Sequence, residues 1–198
     1  SWFSTLDRRA GYHNIPVAEK DRDKTAFVTR RGCWRYTVMP FGVTCAPSVF
    51  QRLMDLVLAG LSYCLVYLDD IIIYARTFDE HLRRLEAVFS RLRWARLKLK
   101  PSKCSLLQRK VSFLGHNVSE AGVEMQSEKI KAVLDWPTPK NLHDVRSYLG
   151  LCGYYRRFIS GFANVAAPLH ALTAKSVRFE WKWEHQQAFE QLKTCLTT

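Results

Sequence analysis

Asp69 and Asp70 stand side by side in the segment YCLVYLDDIIIYA, residues 63–75, whose other positions are almost all apolar or aromatic. An Asp-Asp pair alone is the ordinary mark of a solvated turn. Here the flanking runs have the composition of largely buried strands, and two carboxylates at their junction repel each other and resist ionisation. Such a pair needs a compensating cation, and divalent magnesium suits carboxylate oxygens if a third acid lies close. Asp7, at the end of the short apolar run WFSTLD, supplies that acid. If the two strands are neighbours in one sheet, Asp7 and Asp69 ligate metal from adjacent strand ends. Two ions roughly 3.5–4 Å apart would then activate a hydroxyl and stabilise the leaving oxygen of an in-line phosphoryl transfer.

The elements that must position these acids follow from periodicity. Residues 2–7 read as a strand ending in Asp7, and residues 63–67 and 71–75 as two strands joined at Leu68-Asp69-Asp70. Alternation at 25–29 and 34–38, around Arg30-Arg31-Gly32-Cys33, predicts a hairpin. Ala46, Val49, Phe50, Leu53, Met54, Val57 and Leu58 fall at helical spacing, with Thr44 as the expected cap and Gly60 as the expected end. A second helix is expected over 79–92, strands over 112–118, and a turn at Glu120-Ala121-Gly122. Beyond Gly122 the pattern is helical, at 127–136, 141–153, 165–173 and 184–196, with Pro137-Thr138-Pro139 separating the first two. A mixed α/β module to about residue 122 and a helical module after it are therefore expected. The chain begins just before a strand and stops within a helix, so it reads as cut at both ends.

Thirty Lys and Arg against eighteen Asp and Glu give a formal net charge of +12, which favours a polyanionic partner such as nucleic acid. The stretch from Arg91 to Lys110 holds eight basic residues and no acidic one. With 47% hydrophobic residues, wholesale disorder is excluded. The six cysteines form no C-x-x-C pair and have no histidine at zinc spacing, so they read as reduced and mostly buried. No membrane span is expected, because the most apolar window, 56–75, carries Asp69 and Asp70. No signal peptide is expected either, since Asp7, Arg8 and Arg9 interrupt the start.

Six segments occur in order: FSTLDRRAGYHNIPV, KTAFVT, YTVMPFGVTCAPSVFQRLMD, CLVYLDDIIIYA, LKLKPSKC and VSFLGH. Together they resemble reverse transcriptases, most closely the gypsy-type polymerases of long-terminal-repeat retrotransposons. The segment FEWKWEHQQAFEQLKTCLT, 179–197, is similar to the one that leads into their ribonuclease H region. The resemblance implies an α+β fold, a right-hand polymerase palm with an antiparallel sheet backed by helices, followed by a mainly helical thumb and connection. It divides the chain into palm with partial fingers at 1–122, thumb and connection at 123–178, and the start of the ribonuclease H-like region at 179–198. It implies RNA-directed DNA polymerisation with two magnesium ions, manganese being possible. The implied partners are an RNA template, a DNA primer, their RNA–DNA duplex, a deoxynucleoside triphosphate, and the rest of a pol polyprotein, with fingers upstream and ribonuclease H downstream. By analogy the setting is intracellular, in a cytoplasmic particle or the nucleus. The other reading is a catalytically inactive nucleic-acid-binding remnant.

The resemblance also carries roles. Asp7, Asp69 and Asp70 are implied as catalytic metal ligands, and Lys103 as the lysine that protonates the departing pyrophosphate, with Lys100 as its rival. Tyr12 matches the aromatic that rejects a 2′-hydroxyl, its bulk excluding the extra oxygen. Phe41 and Gly42 match the loop on the nucleotide, and Arg8 is counted with these substrate-binding residues. Phe113, Leu114, Gly115 and His116 resemble the primer grip, while Lys129, Lys131, Arg156 and Arg157, with Lys140 and Arg146, would meet duplex phosphates. Arg8, Cys45 and Asn14 depart from the family's usual aliphatic residue, asparagine and glutamine.

Overall fold

The computed structural model describes residues 1–8, 11–175 and 177–197. In chain order the strands and helices are β1 (Trp2–Asp7), β2 (Phe27–Thr29), β3 (Gly32–Trp34), α1 (Ala46–Val57), β4 (Cys64–Tyr67), β5 (Asp70–Ala75), α2 (Phe78–Trp94), β6 (Ser105–Gln108), β7 (Lys110–Phe113), β8 (His116–Ser119), β9 (Gly122–Met125), α3 (Ser127–Leu134), α4 (Leu142–Tyr154), α5 (Phe162–Leu172) and α6 (Trp183–Thr197). They form two compact units, Ser1–Glu124 and Met125–Thr198.

Strand β1 is the hub of the first unit. It pairs antiparallel with β5 on one side and β6 on the other, in a sheet of order β4-β5-β1-β6. Successive side chains along a strand point to opposite faces, so the register decides which residues meet. Leu6, Ile71 and Ile73 face one way and form a core with Phe50, Met54 and Val57 of α1 and Leu85, Val88 and Leu92 of α2. Phe3 and Ile72 face the other way and pack with Val111, Phe113 and Val118 of the β7–β8 hairpin. Asp7 shares the parity of Phe3, and Asp70 that of Ile72. Both acids therefore emerge on the face opposite the two helices.

The helices follow the spacing of their apolar residues. In α1 the buried positions are Ala46, Phe50, Met54 and Val57, one stripe on the inner face. Its N-cap is Cys45, which makes no side-chain cap bond, so Thr44 is not the cap; Gly60, at φ +82°, turns the chain after the helix. Helix α2 is capped by Thr77, whose side chain accepts the Glu80 amide at 3.3 Å.

Three expectations are corrected. Asp70 belongs to β5, opposite Tyr67, so the β4–β5 turn is Leu68-Asp69 alone. The β2–β3 hairpin pairs Thr29 with Gly32 and turns at Arg30-Arg31, so its second strand begins at Gly32 rather than at residue 34. Of the six cysteines only Cys152 is buried, while Cys33 and Cys45 are exposed; all six are free.

The second unit is a helical cluster around Val133, Val145, Tyr148, Cys152, Leu169, Phe189 and Leu192. Tyr148 lies 4.6 Å from the Phe189 ring and donates its hydroxyl hydrogen to the Phe189 carbonyl at 3.1 Å, satisfying the polar end of a buried aromatic. Helix α6 packs on α3 and α5, so the residues from 183 onward share this core. No helix among the described residues is long and apolar enough to cross a membrane.

Candidate active site

The β1–β5 register places Asp7 directly opposite Asp70. Residues opposed in an antiparallel pair project to the same face with close Cβ atoms, so two carboxylates meet there and Asp69 follows at the turn. The register thus sets Asp7 against Asp70 rather than against Asp69.

The turn is held from two sides. Leu68 has φ +51°, a left-handed conformation that costs a residue with a side chain about 1–2 kcal/mol. Its N–H donates to Gln51 Oε1 at 2.7 Å, and its carbonyl accepts from Arg8 Nη2 at 2.8 Å. Gln51, on α1, also donates to the Val66 carbonyl at 3.3 Å, so one side chain joins the helix to both β4 and the turn. Gln51→Leu is expected to leave the Leu68 N–H without its partner. The expected result is destabilisation by about 0.5–1.5 kcal/mol in denaturant unfolding, and loss of roughly tenfold or more in any activity that needs Asp69 in place.

Arg8 is the buried cation of the site, 5% exposed. Strand parity sends it to the helix side of the sheet, where its guanidinium lies 3.9 Å above the Phe50 ring and donates to Met54 Sδ at 2.7 Å. Nη2 reaches back up to Asp69 Oδ1 at 3.2 Å. Burial lowers its pKa to about 10, against the pull of Asp69, Asp7 and Asp70, so it stays protonated at neutral pH. The Arg8 side chain, counted with the substrate-binding residues, thus lies beneath the acids on the helix side of the sheet rather than on the face where Asp7 and Asp70 emerge.

Burial pushes the Asp69 and Asp70 carboxyls upward. Asp70 is raised first by desolvation and then by Asp7 and Asp69. Asp69 is raised by desolvation, with Arg8 opposing and Asp7 adding to the rise. Lys103 Nζ lies 3.4 Å from Asp7 Oδ2, an exposed lysine on a partly buried acid. Its rival Lys100 is exposed, and it is its backbone N–H that donates to the Asp7 carbonyl, at 2.9 Å. Among the described residues, no three His, Cys, Asp or Glu stand as a ready metal cage. The donor set still suits a hard divalent ion. Three carboxylates answer to two cations, and Asp70 has no ion pair among the described residues.

Gly11 is a site residue that motif reading passed over. A Cβ there would strike Asp69 Oδ1 and come within 2.8 Å of Phe50 Cζ. The only signal in the sequence was a glycine four residues after Asp7, outside any turn pattern. Gln51 gave less still, since a polar residue beside Phe50 on a helix reads as an ordinary flank.

Tyr12 packs edge-on against Phe50 at 5.4 Å and Phe41 at 5.5 Å, which ties it both to the core and to the loop. Phe41 is 65% exposed, and Gly42 has φ +87°, which a side chain would oppose. Phe113 and His116 pair across the β7–β8 turn, with Leu114 at φ +46° and Gly115 at φ +72°. The His116 Nδ1 and Leu114 carbonyl, 2.7 Å apart, brace that turn. Lys129 and Lys131 are exposed on α3, flanking Ile130, which packs on the core. Arg156 and Arg157 are exposed on one 3-10 turn. These four belong to the second unit.

An antiparallel sheet backed by helices on one face, with acids gathered at its strand ends on the other, defines a polymerase palm. The family model for reverse transcriptase (RNA-dependent DNA polymerase) matches residues 1–118, and the chain belongs to that family. It is 41% identical to the retrovirus-related Pol polyprotein from transposon 297 of Drosophila melanogaster, over 98% of this chain and 19% of that protein. It is 37% identical to the transposon Tf2-3 polyprotein of Schizosaccharomyces pombe, over 99% of this chain and 15% of that protein. The chain thus spans less than a fifth of these relatives. Among solved structures it is similar to the foamy viral protease-reverse transcriptase dRH in complex with double-stranded DNA. That match has a TM-score of 0.90 and 29% identity, and covers 99% of this chain and 35% of the other. A complex of the foamy viral protease-reverse transcriptase with an RNA/DNA hybrid matches with a TM-score of 0.87 and 29% identity, over 98% of this chain and 27% of the other.

Proposed function

We propose that this chain carries the polymerase site of a retrotransposon reverse transcriptase, which extends a DNA primer on an RNA template from deoxynucleoside triphosphates. The observation that carries this reading is the β1–β5 register, with Asp7 opposite Asp70 and Asp69 held at the adjoining turn. Asp7, Asp69 and Asp70 would hold the divalent ions. Magnesium, or manganese in its place, would supply there positive charge for the transferring phosphoryl group and would lower the pKa of the primer hydroxyl.

The chain's own residues supply the rest. Asp7, Asp69 and Asp70 fix where positive charge is concentrated, at the strand ends on the face opposite α1 and α2. Lys103, beside Asp7, is placed to give a proton to the leaving pyrophosphate. Tyr12, braced by Phe50 and Phe41, presents a rigid aromatic against the sugar. Phe41 and Gly42 form the loop over the nucleotide, and the 113–116 turn holds the primer end. Lys129, Lys131, Arg156 and Arg157 bind duplex phosphates.

The complexes of the foamy viral relatives support duplex binding here. Affinity for an RNA–DNA duplex is expected to fall steeply between 50 and 200 mM salt, by about 10³-fold or more if six phosphates are neutralised. A flat response in a fluorescence titration contradicts it. Primer extension with magnesium on an RNA template, by the chain within a polyprotein of its relatives' length, tests the function. Extension lost in Asp7→Asn is the expected result, and extension retained overturns the assignment. A second reading, a nucleic-acid-binding remnant, is favoured by the cations already seated on Asp69 and Asp7. It requires duplex binding without extension in the unmodified chain.

A further inference from the structure

The three acids differ in what already neutralises them. Asp7 has an exposed lysine that can swing into solvent, and Asp70 has no ion pair among the described residues. Asp69 has Arg8, whose side chain is 1% exposed and whose other contacts are the Met54 sulfur, the Phe50 ring and the Leu68 carbonyl. A guanidinium so placed cannot follow its charge into water when another cation arrives.

We infer that Arg8 is a resident counter-ion that competes with divalent metal for Asp69 while anchoring the Leu68-Asp69 turn to α1. The inference rests on the proposed metal role of the three aspartates. It makes Arg8 a positioning residue that sets the metal requirement from beneath the site, without touching substrate. Two physical terms act together. The Arg8 hydrogen bond occupies one lone pair of Asp69 Oδ1, and its fixed positive charge, on a side chain 1% exposed, raises the cost of placing a second cation nearby. A compensating benefit follows. In the metal-free state Arg8 offsets the mutual repulsion of the acids and holds the strained Leu68 backbone, so the turn is preformed before any ion binds.

The test is a manganese titration of the 198-residue chain followed by electron paramagnetic resonance, with Arg8→Leu, Arg8→Lys, Lys103→Gln and Asp69→Asn in parallel. Arg8→Leu is expected to bind manganese about tenfold more tightly. It should melt at a lower temperature without metal and recover most of the loss with it. Arg8→Lys, which keeps the charge, should stay near the unmodified affinity. Lys103→Gln should shift affinity less than Arg8→Leu, because an exposed lysine is screened and free to move. If Arg8→Leu does not melt cooperatively, Arg8→Met fills the same volume and takes its place. Equal or weaker manganese binding in the folded Arg8→Leu or Arg8→Met chain overturns the inference, as does an equal gain in Lys103→Gln. Manganese binding that Asp69→Asn leaves untouched overturns the aspartate reading itself, a result distinct from either.

Discussion

Asp70→Asn is expected to raise the melting temperature of the metal-free chain while abolishing primer extension. The Asp70 carboxyl is raised from its ordinary value by burial first, and then by Asp7 and Asp69. A carboxyl whose pKa is raised on folding stabilises the fold below its unfolded value, near 3.9, and loses that contribution as pH rises through the folded value. At neutral pH the ionised group therefore costs folded stability, and an amide of the same shape does not. The gain should read as a higher melting temperature at pH 7 and vanish near pH 3. Magnesium should raise the melting temperature of the unmodified chain more than that of Asp70→Asn, since binding to the folded state alone adds stability. Primer extension should fall by at least about a thousandfold with duplex affinity unchanged. A variant that is less stable at pH 7 contradicts the electrostatic account, and one that still extends contradicts the catalytic one.

Gly11→Ala carries the second large effect, and it needs no charge at all. The added methyl would overlap Asp69 Oδ1 and crowd Phe50 Cζ, so the carboxylate must leave its place beside Arg8 or the buried ring must shift. Phe50 is fully buried in the core beneath Arg8, and Asp69 sits on a turn pinned by Gln51 and Arg8. Overpacking of this kind costs about 1–3 kcal/mol, readable in denaturant unfolding. Displacing Asp69 by even an ångström should cost roughly a hundredfold in extension. Gly42→Ala is the useful contrast. It strains φ at a position with open space around it, so it should lower stability without moving Asp69.

Much of this architecture was legible because period-two and helical patterns carry it directly. The strand ending in Asp7, the apolar stripe of α1 and the four C-terminal helices all follow from residue spacing. What stayed hidden depends on register and on which face a side chain takes. Asp70 was read as part of the turn, because two adjacent acids look alike until pairing assigns one to a strand and the other to the bend. Strand β6 escaped notice, since its pairing with β1 is irregular between Phe3 and Thr5 and SLLQ has no clear alternation. The resemblance groups Arg8 with the substrate-binding residues, and its place next to Asp7 in sequence does not show which face it takes. Adjacent residues in a strand face opposite ways, and that one rule buries Arg8 on the helix side while turning Asp7 to the other face. Gln51 and Gly11 act through a hydrogen bond and a close approach between distant segments, which no local pattern encodes.

The central claim is that Asp7, Asp69 and Asp70 together form the divalent-metal site for nucleotidyl transfer. Anomalous diffraction from crystals of the chain with a primer–template duplex, a deoxynucleoside triphosphate and manganese tests it most directly. Manganese density bridging the carboxylates of Asp7, Asp69 and Asp70 to the triphosphate is the predicted result. Manganese bound elsewhere, with those three carboxylates still paired only to Arg8 and Lys103, would contradict it.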